Sequence, residues 1–358
     1  MPVNERLSVL PYLDRRYMKF SRGSGMTATT PTDFKRWRTR VRRRLMALTG
    51  FDTMSASPLK PRITERVSCD GYERQRIEIQ TEPGVVMPLY ALVPKGLSRG
   101  ERRPAVLCPH GHGSGGKYSP AGRGDMPEIA EAISVYNYDY GVQFARRGLI
   151  AFCPDARGFG ERQEPSLHRA GDASITASSC QLINQMAYPL GQTVTGMWAW
   201  DLHRLVDYIQ TREDCNGKRI GCAGLSGGGL QTLWATAFDA RICAAVVSGY
   251  MYGYRESLLD MHWNCSCNYV PHLYEHVDMG DIAALIAPRP LLIETGSRDP
   301  LNGRSGLKNV RSQVAIARRA YRLLDAGRDL VHDVFEGEHR WHGEKAVPWL
   351  VEQLTHPE

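Results

Sequence analysis

A chain of 358 residues, 42% hydrophobic and 23% charged, has the make-up of a globular protein with a sizeable core. No apolar stretch approaches the ~20 residues that span a bilayer, so a membrane span is not expected. The net charge of +7 raises nucleic acid as a partner, but no recognition motif accompanies it and that partner is set aside. Nine cysteines without paired spacing, and a start Met1-Pro2-Val3-Asn4-Glu5-Arg6 that lacks the basic-then-apolar order of a secretory signal, point to a reducing cytoplasm.

In chain order, residues 1–60 read as a helical extension. Its densest charge, Lys35 to Arg44, lies on an amphipathic helix. Phe34, Trp37, Val41, Leu45 and Leu48 recur at helical spacing, so this stripe packs on the domain and the arginines face solvent. The Pro-rich Ser57-Pro58-Leu59-Lys60-Pro61 marks a boundary, and 61–358 is expected to form the main domain. Tyr72 to Ile79 and Val85 to Val93, around Glu82-Pro83-Gly84, read as an antiparallel hairpin at the edge of a sheet.

Five short apolar runs follow, Ala105 to Cys108, Leu149 to Cys153, Ile220 to Ala223, Ala244 to Val247 and Leu291 to Ile293, separated by helical patterns. Strand alternating with helix implies crossover connections and a mostly parallel sheet covered on both faces. Chemistry in such sheets collects beyond the carboxyl ends of the strands. Between the second and third runs, residues 163–196 are rich in Ser, Thr, Ala and Gly and lack clear periodicity, as expected of an insertion over the strand ends. Trp198, Leu202, Leu205, Val206 and Ile209 then resume a helical stripe.

The run Ile220 to Gly229 turns from an apolar strand through glycines around one serine, with Gly224, Ser226 and Gly228 filling a G-x-S-x-G pattern. Leu230, Leu233, Trp234 and Ala237 continue at helical spacing. A strand before and a helix after make this a nucleophile elbow, with the positive helix end aimed at Ser226. A serine needs a base, and the base an orienting acid. Asp299 follows the strand Leu291 to Glu294, and His339 follows a final strand around Val331 to Phe335. His342 is the lesser histidine candidate. For the oxyanion donors, Gly227 supplies one backbone N–H, and the loop Pro109 to Gly116 supplies the other through the backbone of His112. His110, Trp200 and His342 are the candidate substrate-binding residues.

The order serine, acid, histidine together with these motifs resembles the α/β-hydrolase superfamily, in particular its acetyl-xylan-esterase-like and dienelactone-hydrolase-like members. Pro154 to Arg162 and Ala287-Pro288-Arg289-Pro290 add to the likeness, which covers roughly residues 65–355. The resemblance implies a three-layer α/β fold with a mostly parallel, eight-stranded sheet and ester hydrolysis as the commonest activity. Position 226 is serine, whereas dienelactone hydrolases proper use cysteine. Position 227 is glycine, whereas glucuronoyl esterases carry arginine after the serine.

Neither cofactor nor metal is expected. His262, Cys265, Cys267 and His272 have a ligand-like mix, but their C-x-C pair lacks the commoner zinc spacing and no second cysteine pair follows. Asp155, Arg157 and Asp201 read as a structural charge network. The function expected is a serine esterase acting on a short acyl ester, a small molecule with a polar alcohol such as a carbohydrate. Amide hydrolysis, acyl transfer and a silent binding protein of the same fold are the alternatives. A homo-oligomer is left open.

Overall fold

Chain geometry follows from the periodicities, as a computed structural model describing residues 7–164, 166, 174–261 and 264–355 shows. Helix α1 (Leu10–Phe20) lies on the surface. Helix α2 (Pro31–Thr49) starts where the Thr30 side chain accepts from the Asp33 backbone N–H, with Pro31 in the first turn, and it stops at Gly50 in the left-handed region. Phe34, Trp37, Val41 and Leu45 are buried, whereas Arg36, Arg40, Arg43 and Arg44 are exposed.

Among the described residues nine strands form one sheet: β1 (Arg62–Ser68), β2 (Tyr72–Glu82), β3 (Val85–Pro94), β4 (Arg103–Leu107), β5 (Ile150–Pro154), β6 (Cys215–Leu225), β7 (Ile242–Ser248), β8 (Leu291–Gly296) and β9 (Leu330–Phe335). Their order is β1-β2-β3-β5-β4-β6-β7-β8-β9. The first three pairings are antiparallel and those from β5 onward are parallel. The sheet therefore has one strand more than the expected eight. The addition is β1, an edge strand whose side chains are nearly all exposed. With no buried face it has no apolar alternation to read, and it forms because pairing satisfies the open edge of β2.

Among the described residues the further α-helices are α3 (Pro127–Tyr136), α4 (Tyr140–Ala145), α5 (Cys180–Ala187), α6 (Val194–Thr211), α7 (Gly227–Phe238), α8 (Leu273–His276), α9 (Met279–Ala284), α10 (Leu307–Leu323) and α11 (Ala346–Thr355). Along β7, Ala245 and Val247 pack into the core shared with α2, α6, α7 and α10, while Ala244 and Val246 pack into the core shared with α4 and α11. Alternate residues of a strand thus serve opposite faces, which makes three layers. Among the described residues of 163–196 there is more regular structure than the composition suggests. Helix α5 lies within them, and α6 begins at Val194, where Thr193 caps the Gly196 N–H, four residues before the apolar stripe becomes legible. Among the described residues no helix is long and apolar enough to cross a membrane.

Candidate active site

At the carboxyl end of β6 the backbone of Ser226 sits at φ 61° and ψ −121° before α7 begins. A side-chain-bearing residue adopts this conformation only at a cost of ~1–3 kcal/mol, which the surroundings must impose. The glycines on either side make the turn sterically feasible. A Cβ on Gly224 would lie 2.6 Å from the Gly228 carbonyl, and one on Gly228 would lie 2.2 Å from the Pro109 oxygen. The Ser226 N–H donates to the Ser248 carbonyl at 2.9 Å, tying the turn to β7.

Two later strand ends deliver the acid and the histidine. The Ser297 N–H donates to Phe335 O and the Arg298 N–H to Gly337 O, which holds the loop after β8 against the loop after β9. His339 Nδ1 then lies 2.7 Å from Asp299 Oδ2, while Asp299 Oδ1 accepts from the Leu301 N–H. Asp299 is 4% exposed, so its charge faces the imidazole rather than water. Gly249, at φ 56°, leaves room for the ring, since a Cβ there would stand 3.0 Å from His339 Cε1. Ser226 and His339 line one cavity of about 1080 Å³ with Gly227, His112, Tyr250 and Tyr252. The described residues show no hydrogen bond between the Ser226 hydroxyl and His339. Such bonds commonly tighten only when substrate is held.

The loop Pro109 to Gly116 lies against the elbow because Gly111 has no side chain. A Cβ there would meet Leu225 O at 2.7 Å and Ser226 Cβ at 3.0 Å. Its carbonyls are taken by Tyr140 Oη on Pro109, Gln231 Nε2 on His110, Ser114 Oγ on Gly111 and Tyr138 Oη on His112. These bonds set the orientation of the peptide planes in the loop. Tyr138, Tyr140 and Gln231 were not legible in the sequence as loop holders; the Tyr-x-Tyr-x-Tyr pattern at 136–140 is the only trace of them.

Of the candidate substrate-binding residues, only His342 lines the cavity, where its ring stacks on Phe335 at 4.5 Å. His110 is instead buried beneath the loop. Its Nδ1 contacts Gly111 O, its Nε2 accepts from the Ala156 N–H, and burial pushes it down to about 4. Trp200 packs between Phe51 and His203 and donates to Thr81 O, so it belongs to the core. Both readings are corrected for the same reason: each ring, His110 in the loop Pro109 to Gly116 and Trp200 beside the insertion, already has backbone partners in the fold. Glu294, at the end of β8, was not anticipated. Buried and pushed up in pKa by that burial, it accepts from Ser248 Oγ, the His342 N–H and the Gly343 N–H, clamping the segment just after His339.

The charge network expected around Asp155, Arg157 and Asp201 is present and extends further. Arg157 and Arg162 both pair with Asp201, and Arg157 also reaches Glu82. Asp155 pairs at 2.6 Å with Lys117, whose side chain is fully buried and also contacts Glu161. None of these residues lines the cavity.

One wall of the cavity contains a cluster that sequence spacing did not reveal. His112 Nε2 lies 3.5 Å from Cys180 Sγ and 3.8 Å from Cys267 Sγ, and Cys180 Sγ lies 3.3 Å from Cys265 Sγ. Burial opposes charge on the imidazole, yet hydrogen bonds with Cys180 and Cys265 lift His112 to about 10. Hydrogen bonds from Cys180 and Cys267 push the Cys265 thiol far down, while burial pushes Cys267 up. Of the grouping considered in the sequence, His272 instead sits on the surface beside Glu275, and His262 lies outside the described residues.

Comparison with known proteins gives the family. The chain is 30% identical over 213 residues to YtaP of Bacillus subtilis (strain 168), which is named as a hydrolase; the match covers 59% of this chain and 65% of YtaP. It is 30% identical over 118 residues to the carbohydrate esterase MZ0003 of an unknown prokaryotic organism, covering 28% of this chain and 27% of that protein. The chain thus spans less than two thirds of either relative. In fold it resembles a Bacteroides fragilis NCTC 9343 protein assigned to the acetyl xylan esterases, with TM-score 0.78, 18% identity and coverage of 99% of this chain and 97% of that one. The Abhydrolase family matches residues 18–331. A match of that extent, on a sheet of this strand order, gives the assignment: the chain belongs to the Abhydrolase family, the α/β-hydrolases.

Proposed function

We propose that the protein is a serine carboxylic-ester hydrolase that works through an acyl-enzyme. The observation that carries this reading is the 2.7 Å pairing of Asp299 with Nδ1 of His339, which lines the same cavity as Ser226 at its strained turn. Asp299 holds the imidazole so that Nε2 is free to accept a proton. Ser226 attacks the acyl carbonyl as His339 takes its proton, and His339 returns that proton to the leaving alcohol. The N–H groups of Gly227 and His112 receive the oxyanion, each worth ~3 kcal/mol when removed. Water then repeats the sequence and frees the acid.

For the substrate we propose a short acyl ester of a polar alcohol such as a carbohydrate. The wall beside Ser226 is close-packed, since a Cβ on Gly227 would already lie 3.1 Å from His112 Nδ1. The cavity lining also includes Asn264, Arg298, Glu338 and Arg340, which suit hydroxyl groups. Relatives named as carbohydrate and acetyl xylan esterases support the same class. Fluorophosphonate labelling followed by peptide mapping tests the nucleophile, and absence of an adduct on Ser226 would refute the mechanism. A series of esters of increasing acyl length tests the substrate; rates that rise with chain length would refute the short-acyl assignment.

A further inference from the structure

Four side chains of metal-ligating type meet at the cavity wall from three separate stretches of chain. His112 comes from the loop after β4 and Cys180 is the first residue of α5. Cys265 and Cys267 come from the segment after β7. Their ligand atoms all lie within 4.8 Å of one another. Zinc bonded tetrahedrally at about 2.3 Å to sulfur and about 2.0 Å to nitrogen demands edges of about 3.8 Å between sulfurs and about 3.5 Å between sulfur and nitrogen. The His112 nitrogen lies 3.5 Å from Cys180 Sγ and 3.8 Å from Cys267 Sγ, the Cys180–Cys265 sulfur edge is 3.3 Å, and the remaining edges are no longer than 4.8 Å. Closing the tetrahedron therefore requires shifts of no more than about 1 Å, within the reach of side-chain rotation.

The surroundings suit thiolate ligands. Ser178 Oγ lies 3.5 Å from Cys180 Sγ, and Asn268 Nδ2 lies 3.7 Å from Cys267 Sγ, both placed to donate to sulfur. We infer that His112, Cys180, Cys265 and Cys267 bind one zinc ion in a closed, four-ligand structural site. Three sulfurs and one imidazole favour zinc over the hard cations magnesium and calcium, and four protein ligands leave no position for substrate. Binding displaces the remaining thiol protons to solvent. The ion fastens the loop that carries the His112 N–H to α5 and to the segment after β7, and so rigidifies a wall of the cavity. This inference does not rest on the ester-hydrolase reading, because it concerns binding and order rather than turnover.

The test is metal content of the full chain, purified under reducing conditions without chelator and exposed to excess zinc before desalting. About one zinc per chain is expected, with at least a tenfold drop in Cys180→Ser and in Cys267→Ser. Cobalt(II) substitution should give thiolate-to-metal charge-transfer absorption and the intense visible bands of a tetrahedral site. A measurement on the unaltered chain covers the case in which the variants fail to fold. Cys265, which lines the cavity, should alkylate after chelator treatment and be protected after zinc loading. Wild-type metal content no higher than that of the variants would overturn the site. So would equal alkylation of Cys265 with and without zinc, or a Cys180–Cys265 disulfide in freshly isolated protein.

Discussion

His339 Nδ1 stands 2.7 Å from Asp299 Oδ2, across 40 residues of chain. The two meet because the loops after β8 and β9 are joined by backbone hydrogen bonds from Ser297 and Arg298. Replacing Asp299 with Asn keeps the shape but offers an N–H where an acceptor is needed. The expected loss is about 10³–10⁴-fold in kcat, with KM little changed. Steady-state kinetics on p-nitrophenyl acetate checks this, and a change confined to KM would contradict the orienting role.

The strain at Ser226 separates activity from stability. Ser226→Ala should abolish hydrolysis without stabilising the fold, because alanine still carries a Cβ at φ 61°. Ser226→Gly should be equally inactive yet more stable by about 1 kcal/mol, the strain released less the chain entropy glycine adds. Chemical denaturation of the two variants side by side measures the difference. Equal midpoints would mean that the turn is not strained.

Lys117, fully buried between Asp155 and Glu161, should be costly to neutralise. Lys117→Met leaves the buried Asp155 carboxylate without its cation, and about 3–5 kcal/mol of destabilisation is expected. An unchanged denaturation midpoint would show that Asp155 is adequately held by the Lys117 and Glu161 backbone N–H groups alone.

Acid should loosen the structure through His110, whose folded-state value is pushed from 6.5 to about 4, chiefly by burial. As pH falls below about 6.5 the unfolded chain takes up a proton that the folded chain refuses, so stability is lost down to about pH 4. The sum is about 3 kcal/mol, fully present above the unfolded value. Protonation also costs the bond that Nε2 accepts from the Ala156 N–H. His332, pushed down to about 4 mainly by burial, acts with the same sign. The stability difference between wild type and His110→Gln, followed from pH 7 to pH 4, should shrink; a constant difference would remove His110 as a source.

The features readable in the sequence are those whose physics is local. Gly224, Ser226 and Gly228 share one turn, and the periodicities of 2 and 3.6 on either side require no distant partner. Asp299 and His339 were legible as candidates because each directly follows a strand-like run, and parallel sheets gather such ends on one rim. The edge strand β1 escaped notice because an exposed strand needs no apolar pattern. Helix α5 escaped because its support comes from other segments, such as the Ser266 carbonyl that accepts from Asn184 Nδ2.

Tertiary structure alone decided which polar residues face the cavity. His110, in the loop Pro109 to Gly116, and Trp200, beside the insertion, spend their ring nitrogens on backbone atoms, while Glu294 and Tyr138 act in roles that their sequence positions do not reveal. It also decided the metal-ligand geometry. His112 and Cys180 are 68 residues apart, Cys180 and Cys265 are 85 apart, and His112 and Cys267 are 155 apart. A site assembled from three stretches leaves only the Cys265-x-Cys267 pair to read in sequence, because its remaining spacing is set by how the strands and crossovers pack rather than by the repeat of any one element.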